Sequence, residues 1–61
     1  MEKDLLELGF KKEYNWFILR IDEEKEIQVY NSMVRLIPKN ADGLDLFEYD
    51  LENLKTLLNL L

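Results

Sequence analysis

The chain contains no cysteine and no histidine, and only two glycines, one proline and one tryptophan among its 61 residues. Without cysteine there is no disulfide and no thiolate metal site. Without histidine as well, zinc would have to bind through carboxylates alone, which is unusual for it. No metal and no cofactor are expected. The same absences remove cysteine nucleophiles and the histidine general base of the common hydrolytic triads. Gly9 and Gly43 stand alone, so no glycine-rich phosphate loop can form. Carboxylates abound, but a working acid–base pair needs a pocket that drives the two pKa values apart. A domain of this length has little room to build one, so no enzymatic activity is expected. The run DEEKE at 22–26 does not read as a calcium loop, because Lys25 interrupts the acids and the spacing is not that of an EF-hand.

Long apolar runs are also missing. No stretch approaches the ~20 apolar residues of a membrane span. The opening MEKDLLELGF carries acids where a secretory signal needs a basic start. A cytoplasmic protein is the expectation. The net charge of −5 argues against general nucleic-acid binding, which depends on neutralising phosphates. The charge is unevenly spread: −2 over residues 1–10, +2 over 11–21, −3 over 22–26, +2 over 27–40 and −4 over 41–61. A solvated acidic surface is the plain explanation, and an acidic face docking on a basic protein groove is the sharper one.

What is present indicates one small α+β domain over residues 1–61. Residues 2–8 suit a short helix: Leu5 and Leu8 share a side, Glu2 and Asp4 favour its positive end, and Gly9 fits the left-handed position just past it. Phe10 is then expected to fold back onto Leu5. Residues 13–21 are rich in aromatic and β-branched types and read as a strand. Residues 22–26 read as a hairpin loop, and 26–37 as a returning strand. The parity change at Asn31–Ser32 suggests either a bulge or a tight turn between two shorter strands. The bulge is preferred, because Asn-Ser lacks the glycine that two-residue hairpins favour. Pro38 removes a backbone donor and closes the strand, and PKNADG follows as a loop. Residues 44–49 alternate as a short strand, although a helix starting at Asp45 is a rival. Asp50 then caps a helix running to the C-terminus.

The expected architecture is a short N-terminal helix, a two- to three-stranded antiparallel sheet, and an amphipathic C-terminal helix packed on one sheet face. In the strand YNWFILRI, Tyr14, Trp16, Ile18 and Arg20 share one face, and Phe17, Leu19 and Ile21 share the other. Both faces are largely apolar. The helices are expected to cover the Phe17 face, leaving the Trp16 face for a partner. The leucines of the last helix fill about half its circumference, more than the ~100° stripe one sheet requires. The excess falls near Leu57, Leu60 and Leu61, where either the first helix or another subunit could cover it.

A protein target is expected to meet Tyr14, Trp16, Arg20, Glu23, Glu24, Asp45 and Glu48, since Trp, Tyr and Arg are the usual anchors of interfaces and acids steer a basic partner. Aromatic rings and arginines on one sheet face could instead stack on and clamp a small nucleotide. A self-assembling accessory protein is the third alternative. The opening LLELGFKKE, the aromatic strand and the closing LFEYDLENLKTLLNLL resemble small acidic uncharacterised proteins of bacteriophages and mobile elements. The resemblance implies a stoichiometric inhibitor of a host system, such as nuclease-based immunity, acting in the bacterial cytoplasm.

A chain this short buries only roughly 60% of its unfolded surface, and such domains usually lean on a disulfide, a metal or a partner subunit. With the first two excluded, a homodimer is expected, with Trp16, Ile18, Leu57, Leu60 and Leu61 at its interface. Light scattering at micromolar concentration should give about twice the chain mass, with a melting temperature that rises with concentration as mass action requires. A concentration-independent monomer refutes the dimer.

Overall fold

In the computed structural model, which describes residues 1–61, two helices flank five strands: α1 (Glu2–Glu7), β1 (Lys11–Glu13), β2 (Trp16–Arg20), β3 (Lys25–Tyr30), β4 (Met33–Pro38), β5 (Leu44–Glu48) and α2 (Leu51–Leu60). The strands form one antiparallel sheet in chain order, β1-β2-β3-β4-β5. The α+β expectation holds, but the sheet has five strands rather than two or three.

The additional strands come from two tight turns. The expected strand 13–21 is interrupted at Tyr14–Asn15, where β1 turns back on β2 with Glu13 opposite Trp16. The expected bulge within 26–37 is a two-residue turn, so β3 and β4 are separate strands with Tyr30 opposite Met33. Asn31 and Ser32 both adopt positive φ, 52° and 63°. This is the backbone that a mirror-type hairpin demands, and its twist matches the strands. Asn tolerates it because its short side chain can bond locally, and Ser32 accepts the strain in place of glycine. The loop expected over 22–26 is shorter than that, because Lys25 and Glu26 already belong to β3.

A bulge does occur, but in β5. Val34 faces Phe47 while Arg35 faces Asp45, which leaves Leu46 as the extra residue. Simple alternation puts Leu46 and Phe47 on opposite faces, but both pack against the core. The bulge is what turns the second of them inward.

Helix ends follow the expected chemistry. The Asp50 carboxylate accepts the Asn53 N–H at 3.0 Å, capping α2. Gly9 follows α1 with φ of 100°, and the Phe10 N–H donates to the Leu5 carbonyl at 3.0 Å. The chain thus folds back and buries Phe10 beside Leu5, as expected.

Both helices lie on one face of the sheet. Leu5 from α1 and Leu54 from α2 are fully buried with Phe10, Phe17, Ile27, Val29 and Val34, and these seven make the core. Leu19, Ile21, Leu36, Phe47, Leu57 and Leu58 pack around it. Short helices of six and ten residues cannot stand alone in water, so each owes its stability to this contact. Phe17→Ala and Leu54→Ala should each destabilise the domain by about 2–5 kcal/mol, the range for emptied core sites. In a domain with ~5 kcal/mol to lose, either change can unfold it. Thermal denaturation checks this, and unchanged melting temperatures in both variants would refute the assignment of the inward face.

Candidate docking face

The face without helices is built from three cross-strand rows. The first crosses all five strands in register: Glu13, Trp16, Tyr30, Met33 and Glu48. The second also crosses all five: Lys11, Ile18, Gln28, Arg35 and Asp45. The third holds Arg20, Glu26 and Ile37. Asp45 and Glu48 are three apart in sequence, so alternation alone would separate them. The β5 bulge brings both to this face.

The rows differ chemically. In the second, the Arg35 Nε donates to Asp45 at 2.6 Å and its Nη1 reaches Gln28 at 3.4 Å. Gly43 makes room for this pair: a Cβ there would lie 2.8 Å from the Arg35 Nη2 and 2.7 Å from the Ile37 Cδ1. In the third row Arg20 pairs with Glu26 at 3.4 Å. The first row has no cation at all, and the four ion pairs of the chain involve neither Glu13 nor Glu48.

Trp16 is the centre of an aromatic cluster. Its ring lies 5.3 Å from Tyr14, tilted by 47°, and 6.1 Å from Tyr30, nearly perpendicular at 82°. Tyr14 belongs to the β1–β2 turn rather than to a strand, and it is 84% exposed. Its φ of 54° is rare for a bulky residue. The Trp16 indole nitrogen is enclosed and meets no acceptor in the protein.

Seven residues were expected to meet a protein partner, and they fall into separate groups. Tyr14 and Trp16 pack together at one end of the open face, and Glu48 lies in the same row but three strands away, roughly 14 Å from Trp16. Asp45 sits mid-face, engaged by Arg35. Arg20 lies four residues from Trp16 along β2, roughly 13 Å away, and is paired with Glu26. Arg20 therefore does not join the Trp16 rings in one stacking clamp, whereas Arg35 lines a shallow recess with Tyr30 and Met33. Glu23 and Glu24 are exposed in the β2–β3 turn, beyond the opposite end of the face. That turn is tied down by Asp22, whose carboxylate accepts the Glu24 N–H at 2.7 Å and the Lys25 N–H at 3.1 Å and pairs with the Lys25 ammonium at 2.6 Å. The Lys25 ammonium, followed by the Glu24 N–H, holds the Asp22 carboxyl below its usual range. A depressed carboxyl stabilises the fold above its unfolded pKa, and this contribution disappears as pH falls through the folded value.

The expected dimer residues also divide. Trp16 and Ile18 are on the open face, whereas Leu57, Leu60 and Leu61 belong to the C-terminal segment on the other side of the sheet. Leu57 packs against the core, while Leu60 is 80% exposed and Leu61 45% exposed. A single two-fold contact can use one of these sets but not both.

Glu13, Tyr30 and Met33 complete the first row and were missed in the sequence. Their signal is the Asn31–Ser32 pair: as a two-residue turn it sets Tyr30 against Met33 and hence on the Trp16 face. No protein-family model, no curated protein and no solved structure matches this chain.

Leaving a buried donor unpaired costs about 1–3 kcal/mol, so Trp16 is a poor choice for stability alone. Trp16→Phe removes the N–H and keeps a ring against Tyr14 and Tyr30. Its melting temperature should be within ~5 °C of the parent's, since the relieved donor offsets the lost area. A collapse as deep as that expected for Phe17→Ala would make Trp16 a core residue.

Proposed function

We propose that this chain is a non-enzymatic binding module that occupies a surface of another macromolecule with the open face of its sheet. The form favoured by its small size, acidity and exposed aromatics is a phage-type inhibitor of a host macromolecule, such as a component of nuclease-based immunity. The observation that carries this reading is the placement of both helices on one face, with the exposed Tyr14 and Tyr30 around a half-buried Trp16 left on the other. Tyr and Trp offer large rigid contact area at low entropic cost and dominate interface energetics. The ion pairs of the second and third rows keep the remainder of the face compatible with water, so it can be presented free and covered on binding.

Affinity capture from bacterial lysate with mass spectrometry, followed by kinetics on the purified target, tests this reading. Association should slow as salt rises, because exposed charges are screened beyond ~8 Å at physiological ionic strength. Glu23→Lys with Glu24→Lys, and separately Asp45→Lys with Glu48→Lys, should slow association further. Trp16→Ala should mainly speed dissociation, by up to a few kcal/mol of binding energy. A captured target that binds Trp16→Ala as tightly as the parent, and is indifferent to salt, overturns the proposal.

A further inference from the structure

We infer that the first row of the open face seats cationic side chains, arginine above all, from an extended segment of a protein partner. The inference rests on the docking reading above and specifies the chemistry of what docks. Ring faces attract cations through their quadrupole, Trp best of all, and arginine is the more frequent partner because its planar, weakly hydrated guanidinium stacks on the ring. Here the Trp16 ring packs against Tyr14 at a 47° tilt and against Tyr30 nearly edge to face at 82°, and Tyr14 and Tyr30 keep ring surface exposed beside it. Tyr14, the most exposed of the three, holds a backbone conformation that aromatic residues rarely adopt. Such outliers cluster at ligand sites, where the surroundings hold them in place.

The charges of the row complement a cation. Glu13 and Glu48 close its two ends and pair with no cation of the chain. Four strand spacings of about 4.8 Å separate them, roughly 19 Å in all, the reach of about six extended residues. The protein's own cations do not stack on the ring cluster: Arg20 and Arg35 are paired in the neighbouring rows, Lys11 lies in the second row, and the cation nearest a ring face is Lys12, 6.0 Å from Phe17 on the opposite side of the sheet. A guanidinium at the cluster therefore finds ring surface beside the unpaired Glu13, and a second cation further along an extended segment can reach Glu48.

Trp16 is the sole tryptophan, so its emission reports on the ring cluster directly. The test titrates the protein with an eight-residue peptide alternating arginine and serine, and with the same peptide carrying citrulline, which has nearly the same shape and no charge. The arginine peptide should shift Trp16 emission saturably, and the citrulline peptide should bind at least tenfold more weakly. Glu13→Gln with Glu48→Gln should weaken the arginine peptide at least fivefold. Glu7→Gln with Glu52→Gln, which removes the same charge from the helices, should change it less than twofold. Circular dichroism verifies that each variant is folded. Equal binding of the two peptides, or equal losses in the two double variants, overturns the inference by reducing it to shape or net charge. An emission shift that follows protein concentration and ignores both peptides also overturns it, since the row is then covered by a second copy. If neither peptide binds while Trp16→Ala still releases a captured target, the cation inference fails and the docking reading stands.

Discussion

A five-stranded sheet has two faces, and this chain carries enough helix for only one. The six residues of α1 and ten of α2 bury Leu5 and Leu54 against Phe17, Ile27, Val29 and Val34. That contact is the domain's only core, and everything else depends on it. It holds two helices too short to persist alone. It fixes the parity of every strand, because a slip of one residue would expose the whole buried set. By using up the helices, it also decides that the Trp16 face is the one left open.

Building five strands from so few residues requires abrupt reversals, and the backbone strain is concentrated there. The turns at Tyr14–Asn15 and Asn31–Ser32 hold the three non-glycine residues with positive φ. Both turns lie at the same end of the sheet, and the aromatic row lies between them. The edges are managed separately. β1 is a three-residue strand, Lys-Lys-Glu, with all three residues exposed, and β5 is bulged with Asp45 and Glu48 on the open face. Short, charged or bulged edges resist unwanted strand pairing, so the open face can be exposed without the sheet growing sideways.

The sequence was most legible where a residue type permits one backbone state. Gly9 announced the end of α1, Asp50 the start of α2, and the alternation of YNWFILRI separated the Phe17 face from the Trp16 face. It was least legible where a residue accepts a conformation it does not prefer. Ser32 at φ of 63° and Tyr14 at φ of 54° carry no glycine to mark their turns, so β3 and β4 read as one strand, and β1 goes unread with its last residue, Glu13, joined to β2. The β5 bulge was hidden for a different reason: Leu46 and Phe47 are both apolar, and alternation cannot say which is extra. Each of these misreadings changes a face assignment. Together they separate Glu13, Tyr30 and Met33 from Trp16, which is why the candidate site emerges from the sequence in fragments.

Net charge is also a poor guide to this face. The chain is acidic overall, yet the three rows carry Lys11, Arg20 and Arg35 against Glu13, Glu26, Asp45 and Glu48, close to balance. What distinguishes the rows is whether their carboxylates are already paired, since Lys11 is the one cation of the face left without an acid. Arg35 with Asp45 and Arg20 with Glu26 neutralise each other in place, and burying such pairs brings little net gain because their desolvation cancels the attraction. Only the first row combines apolar area with unpaired carboxylates. A partner that covered the whole sheet would have to desolvate the paired rows as well, whereas one that covers a single row avoids that cost. The face is therefore suited to a narrow contact along one end of the sheet, formed and released without disturbing the core behind it.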